Sequence, residues 1–172
     1  MSMATFAYMG TKATTADIPV TMAIRALRQH HVSFVPHQYA WHPHGGTAAS
    51  AAALAVDEHQ VIKTLIFETE NRTPLCILMH GDREVSAKNL ARQIGAKSVA
   101  PCKPEVADRH SGYHVGGTSP FGLRRAMPIY LQASIATLPR IFINGGQRGF
   151  LLEMAPSELE RVLQPVHVDC CA

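Results

Sequence analysis

The chain has no C-x-x-C pair and no apolar run near the ~18 residues a membrane span needs. Nor does it open on a basic start followed by a continuous apolar core. Cys76, Cys102, Cys170 and Cys171 have spacings that match neither a zinc site nor a secreted disulfide framework, which predicts reduced thiols in a cytoplasmic protein. The other two absences predict neither a membrane helix nor a signal peptide. Charged residues make up only 17% of the chain and the formal net charge is +3. That permits a phosphate-bearing partner but lacks the dense basic stripe of a protein that coats nucleic acid. The spacings G-x-x-x-x-G-K-[ST], G-x-G-x-x-G and G-x-S-x-G are also missing, which argues against an ATPase, a dinucleotide site or a nucleophile elbow. No cofactor and no metal is expected.

What is present suits one domain. The 172 residues are enough to bury about two-thirds of the unfolded surface without a disulfide or metal. Residues 1–19 read as a poorly ordered extension and 20–172 as the domain. Helical spacing and caps predict helices over 20–30 with Thr21 as cap, 47–56 with Thr47 or Ser50 near its start, and 87–95 between Ser86 and Gly95. Two more are expected over 103–110, with Pro104 near its start, and 155–164, with Ser157 as cap or Pro156 in the first turn. Strands are predicted within 32–41, where Pro36 marks an edge, and over 61–69 and 74–80 as a pair. Others fall at 97–101, 127–134, 140–145, 149–154 and 165–169. Strands outnumber helices and alternate with them irregularly. The fold class is therefore α/β of the α+β kind: a mixed, mostly antiparallel sheet or partial barrel flanked by helices.

Three stretches carry possible chemistry. In "VIKTLIF", alternation puts Val61, Lys63 and Leu65 on one face and Ile62 and Thr64 on the other. Lys63 either snorkels to solvent or lines a pocket as a compact cation. In "YHVGGTSPFG", Gly116 and Gly117 let backbone N–H groups converge on an oxyanion or ester carbonyl, and Pro120 biases Ser119 towards an extended shape. The same pattern is ordinary loop punctuation. "NGGQRG" reads first as a hairpin signal at Asn144–Gly145. His37, His42 and His44 read as solvent-exposed loop histidines, Cys76 as core, and Arg124 and Arg125 as a solvated edge or a phosphate contact.

In this order, "HVSFVPHQY", "VIKTLIF", "SAKNLARQIGAKSV", "GYHVGGTSPFGLRR" and "IFINGGQRGF" resemble the YbaK/EbsC-like aminoacyl-tRNA editing family, closest to its Cys-tRNA(Pro) deacylase branch. The resemblance runs from about Thr21 to Val168. It implies a mixed sheet around one pocket and an enzyme that clears a wrong amino acid from the 3′ end of tRNA, with prolyl-tRNA synthetase a possible partner. It further implies that Lys63 contacts the substrate and that Gly116, Gly117, Thr118, Ser119 and Pro120 surround the ester. Tyr39, Thr64, Asn144, Gly145 and Arg148 would contribute to substrate binding. Asn144 and Leu151 depart from the family pattern, which has Ser and Asp there, and Leu151 removes a carboxylate from the pocket rim. The implied chemistry is substrate-assisted release of a cysteine thiolactone. Two alternatives stand beside it: deacylation of an alanyl or other small aminoacyl-tRNA by a bound water, and a non-catalytic module that holds tRNA or a synthetase.

Overall fold

The structure, a computed structural model, describes residues 11–12 and 18–172. Of the segment 1–19 expected to be an extension, Thr11–Lys12 forms a short strand, β1, and most of the rest lies outside the described residues. The strands that follow are β2 (Val35–Gln38), β3 (Val61–Thr69), β4 (Pro74–His80), β5 (Val99–Pro101), β6 (Ile129–Gln132), β7 (Ile141–Gln147), β8 (Phe150–Met154) and β9 (Val166–Val168). The helices are α1 (Met22–Gln29), α2 (Gly46–Leu54), α3 (Ala87–Ile94), α4 (Pro104–Ser111) and α5 (Pro156–Leu163).

The sheet follows the order β1-β2-β8-β7-β3-β4-β6-β9, with β5 attached to β3. The β3–β7, β4–β6 and β6–β9 pairs are parallel and the others antiparallel, so the sheet is mixed and mostly antiparallel, as expected. Among the described residues its path is open rather than closed into a barrel. β1 pairs with His37 and Gln38 of β2, which lies next to it at this side of the sheet.

Alternation along β3 and β4 divides the core. Ile62, Ile66, Cys76 and Leu78 face α1, α4 and α5, in one large cluster with Ile143, Phe150 and Leu152. Phe67, Leu75, Ile77 and Met79 face α3 and its Leu90. A smaller cluster of Ala51, Val61, Phe142 and Leu151 seats α2. β4 buries both faces along its whole length, which explains the near-continuous apolar run in its sequence.

Local signals place most helix ends. The Thr21 hydroxyl accepts from Ile24 N–H at 3.1 Å, the Ser86 hydroxyl caps Asn89 N–H, and Gly95 closes α3 in the left-handed region. Pro156 opens α5, whereas Ser157 does not cap it: the cap position is Ala155, which makes no side-chain bond. His37 corrects the reading of three exposed loop histidines. It lies on β2, half-buried, 2.7 Å from Glu153 on β8, because pairing with that strand carries it off the loop; His42 and His44 are exposed. The Glu153 carboxyl is held below its usual range: burial would raise it, but His37 and Arg140 override this.

His80, at the end of β4, is buried. Its Nδ1–H donates to the His59 carbonyl at 2.7 Å, Nε2 faces the Ser134 hydroxyl at 2.7 Å, and the His59 ring stacks on it at 3.7 Å. Burial lowers its pKa, with the His59 carbonyl opposing. The unfolded chain therefore takes up this proton first, so the stabilisation is complete above about pH 6.5 and is lost as pH falls through the folded value. Urea unfolding from pH 7.5 down to 5 should show stability declining in the wild type, and a shallower decline in His80→Gln.

Candidate active site

β3 and β7 pair only at Val61–Phe142 and Ile62–Ile143. Past this point β7 leaves the ladder through an irregularity between Asn144 and Gln147, while β3 runs on for seven residues. β5 rejoins β3 at Phe67. A cavity of about 670 Å³ lies in the opening between the strands. Its walls include Lys63, Thr64 and Ile66 of β3, Thr47 and Ser50 of α2, Ala107 of α4 and Leu151 of β8.

The strand split leaves polar groups without partners. Ile66 C=O accepts from Cys102 N–H, which places Ile66 and, by alternation, Thr64 with their main-chain groups turned away from β4. At Thr64 no strand among the described residues pairs on that side. Its hydroxyl is also buried without a hydrogen-bond partner. A buried, unpaired hydroxyl costs about 1–3 kcal/mol.

Lys63 points to the opposite face from Thr64. Its side chain is 17% exposed, and Nζ donates to the Arg83 carbonyl and lies 3.3 Å from a Glu84 carboxylate oxygen. Lys63 is one of the cavity residues, and its ammonium is anchored to the loop between β4 and α3. It is neither the solvent-seeking end of a strand nor a free cation.

The two glycine loops meet at the cavity mouth. Asn144 Nδ2 donates to Gly116 C=O at 3.2 Å, and Oδ1 accepts from Gly146 N–H at 2.7 Å and Gln147 N–H at 3.1 Å. Arg148 Nε donates to Val115 C=O at 3.0 Å, and its guanidinium lies 4.4 Å from the Trp41 ring centre. Gly116 has φ +92°, and a Cβ on Gly117 would come within 2.7 Å of the Arg148 main-chain nitrogen. These glycines therefore serve both the bend and a close approach between two loops. The Gly117 N–H is taken by His114 C=O at 2.8 Å. The N–H groups of Gly116 and Thr118, both cavity residues, make no hydrogen bond among the described residues.

Of the site residues read from the sequence, Lys63, Thr64, Gly116, Thr118, Tyr39, Asn144 and Arg148 line the cavity. Gly117, Ser119, Pro120 and Gly145 lie behind its surface. Ser119 is fully buried, with its hydroxyl accepting from Phe121 N–H at 3.3 Å, and Pro120 is buried beside it. Gly145 packs under the Phe150 ring, and its carbonyl accepts from the Thr21 hydroxyl at 2.5 Å. The "NGGQRG" reversal falls at Arg148–Gly149 rather than at Asn144–Gly145, because Asn144 spends its side chain on the irregularity within β7.

The sequence reading missed Trp41, His42, His44, Thr47, Ser50 and Cys102 as lining residues. A usable signal was the short side chains of α2, which leave space above the sheet where a leucine-faced helix would fill it. Burial raises the Tyr39 hydroxyl, against Ser50 and the Gly149 backbone. Burial and the Glu68 carboxylate push the Cys102 thiol up to about 11, so it is not a thiolate nucleophile at neutral pH.

Fold and site together define a mixed sheet, open among the described residues, with a cavity of about 670 Å³ where β3 and β7 part. Residues 42–162 match the family described as the aminoacyl-tRNA editing domain. The chain belongs to this family, and so to a class of enzymes acting on the aminoacyl ester. It is 29% identical over 140 residues to an Enterococcus faecalis protein provisionally designated Cys-tRNA(Pro)/Cys-tRNA(Cys) deacylase EbsC, covering 81% of this chain and 85% of that one. It is 24% identical over 147 residues to the proline–tRNA ligase of Ligilactobacillus salivarius, covering 85% of this chain but 26% of the ligase. A crystal structure provisionally described as a trans-editing enzyme for prolyl tRNA synthetase shares the fold, with TM-score 0.74 and 21% identity over 90% of this chain and 99% of that one. No helix among the described residues is long and apolar enough to cross a membrane.

Asn144 is 8% exposed, and Asn144→Ala would leave one carbonyl and two N–H groups short of a partner. A stability loss of about 1–3 kcal/mol is expected in denaturant titration, with faster amide exchange at Gly146 and Gln147. Unchanged exchange would show that the two loops hold their positions without it.

Proposed function

We propose that the protein clears mischarged tRNA in trans and that its substrate is Cys-tRNA(Pro). The observation that carries this reading is one cavity lined by Lys63, Thr64, Gly116, Thr118 and Arg148, with the Gly116 and Thr118 N–H groups making no hydrogen bond among the described residues. An aminoacyl ester is already activated, and a cavity that holds it in a reactive shape supplies much of the acceleration. The substrate's own thiol attacks the ester carbonyl carbon, and the Gly116 and Thr118 N–H groups hold the negative oxygen that develops. The C–S bond forms and the C–O bond to the ribose breaks. The thiol proton ends on the ribose oxygen, and the cysteine leaves as a thiolactone.

Lys63 holds the acceptor end and the mouth around Arg148 admits the terminal nucleotide. Arg148, stacked on Trp41, offers a cationic flat surface suited to a base or a phosphate. The modest charge of +3 provides little non-specific RNA affinity, so prolyl-tRNA synthetase is the partner that would hand over the mischarged tRNA.

Lys63→Ala should lower the deacylation rate about 10²-fold or more with an unchanged circular dichroism spectrum; full activity would overturn its role. Turnover of Cys-, Ala- and Ser-tRNA(Pro) should rank cysteine first, with thiolactone as the product. Preference for alanine with free amino acid released would instead favour a bound water, and tight binding without turnover would favour a non-catalytic module.

A further inference from the structure

Glu68 on β3, Cys102 just past β5 and His110 on α4 bring a carboxylate oxygen, a sulfur and an imidazole nitrogen within 4.8 Å of one another. The Glu68 and His110 side chains are 14% and 8% exposed, with Oε1 and Nε2 2.8 Å apart. A second cavity of about 500 Å³ reaches Glu68 and Cys102, while the opposite side of Cys102 forms part of the main cavity wall. We infer that these three side chains form a binding site for a divalent transition metal of the zinc class.

One thiolate, one imidazole and one carboxylate are the donor types zinc accepts, and three protein ligands leave a fourth position open to the second cavity. Two donors on one tetrahedral ion stand about 3.3 Å apart, so the Glu68–His110 pair needs to open by only about 0.5 Å. Binding moves the His110 proton from Nε2 to Nδ1 and expels the Cys102 proton to solvent, one proton per ion. Among the described residues, two arginines approach the cluster. Arg125 Nη1 is 3.4 Å from His110 Nδ1, and Arg72 Nη1 is 3.8 Å from the second Glu68 oxygen. Arg125 directs a donor at Nδ1 and so favours the tautomer with Nε2 protonated, the wrong one for this site. It must turn aside when the metal enters. No C-x-x-C or paired-histidine motif announces the cluster, because its ligands come from three elements brought together by the β3–β5 pairing and the packing of α4 on β3.

The test is Co²⁺ titration of the metal-free protein. One equivalent should produce the intense visible bands of a four-coordinate ion and a thiolate-to-cobalt charge-transfer band, both removed by one equivalent of Zn²⁺. Cys102→Ser should lose the charge-transfer band and Glu68→Gln should weaken binding, each with metal-free thermal unfolding close to wild type. Arg125→Ala should bind about tenfold more tightly, the scale on which neighbours of metal ligands act. Absence of the charge-transfer band in the wild type would overturn the site, as would its persistence in Cys102→Ser, which would assign the band to Cys170 or Cys171. None of these readouts depends on deacylation.

Discussion

One side-chain amide, that of Asn144, holds together two loops more than twenty residues apart in sequence. Its oxygen gathers two N–H groups that β7 leaves behind as it departs from the ladder, and its nitrogen reaches across to the Gly116 carbonyl. Only an amide serves both needs: a carboxylate has no hydrogen to donate to a carbonyl, and a hydroxyl is too short to span the three partners. Once this knot is tied, the Gly116 backbone is turned so that its carbonyl is occupied on the β7 side. Arg148 then has a fixed seat between Val115 and Trp41. The shape of the cavity mouth follows from these contacts.

The cavity floor has a different origin. β3 is anchored by full antiparallel pairing to β4, so the brief contact with β7 and the late contact with β5 can leave a gap without loosening the strand. The gap is stable because α2 lies over it with alanines, and because Leu151, opposite Asn144 in the ladder, packs against Val61 and Phe142. Leucine at this position seats the helix and leaves the adjoining wall apolar. Discrimination among aminoacyl groups would then rest on shape more than on a fixed charge.

What was legible in the sequence follows the reach of each signal. Thr21, Ser86, Gly95 and Pro104 act within one turn, and the structure places their helix ends where local chemistry requires. The β3–β4 pairing was readable because two apolar runs flank a short polar turn. Lys63, Thr64 and Gly116 were found partly through the resemblance to known editing domains. The position of the β7–β8 reversal was not readable: Asn-Gly favours a tight turn locally, but the distant Gly116 carbonyl competes for the same asparagine. His37 was misjudged for a similar reason, since its partner Glu153 lies 116 residues away. The burial of Ser119 and Pro120 depends on what lies behind the loop, which no local pattern encodes.

The strand edge exposed at Thr64 has a consequence for how a ligand is read. An unpaired strand edge presents an N–H and a C=O at the spacing of a peptide unit, the arrangement by which a sheet accepts an added strand. Under the proposed function, an aminoacyl ester, with an α-amino group and a carbonyl at nearly that spacing, would meet this wall as one residue of a missing strand. Recognition of this kind ignores the identity of the side chain and is sensitive to its stereochemistry, because a D-aminoacyl group on the same two main-chain bonds would turn its side chain to the opposite face of the sheet.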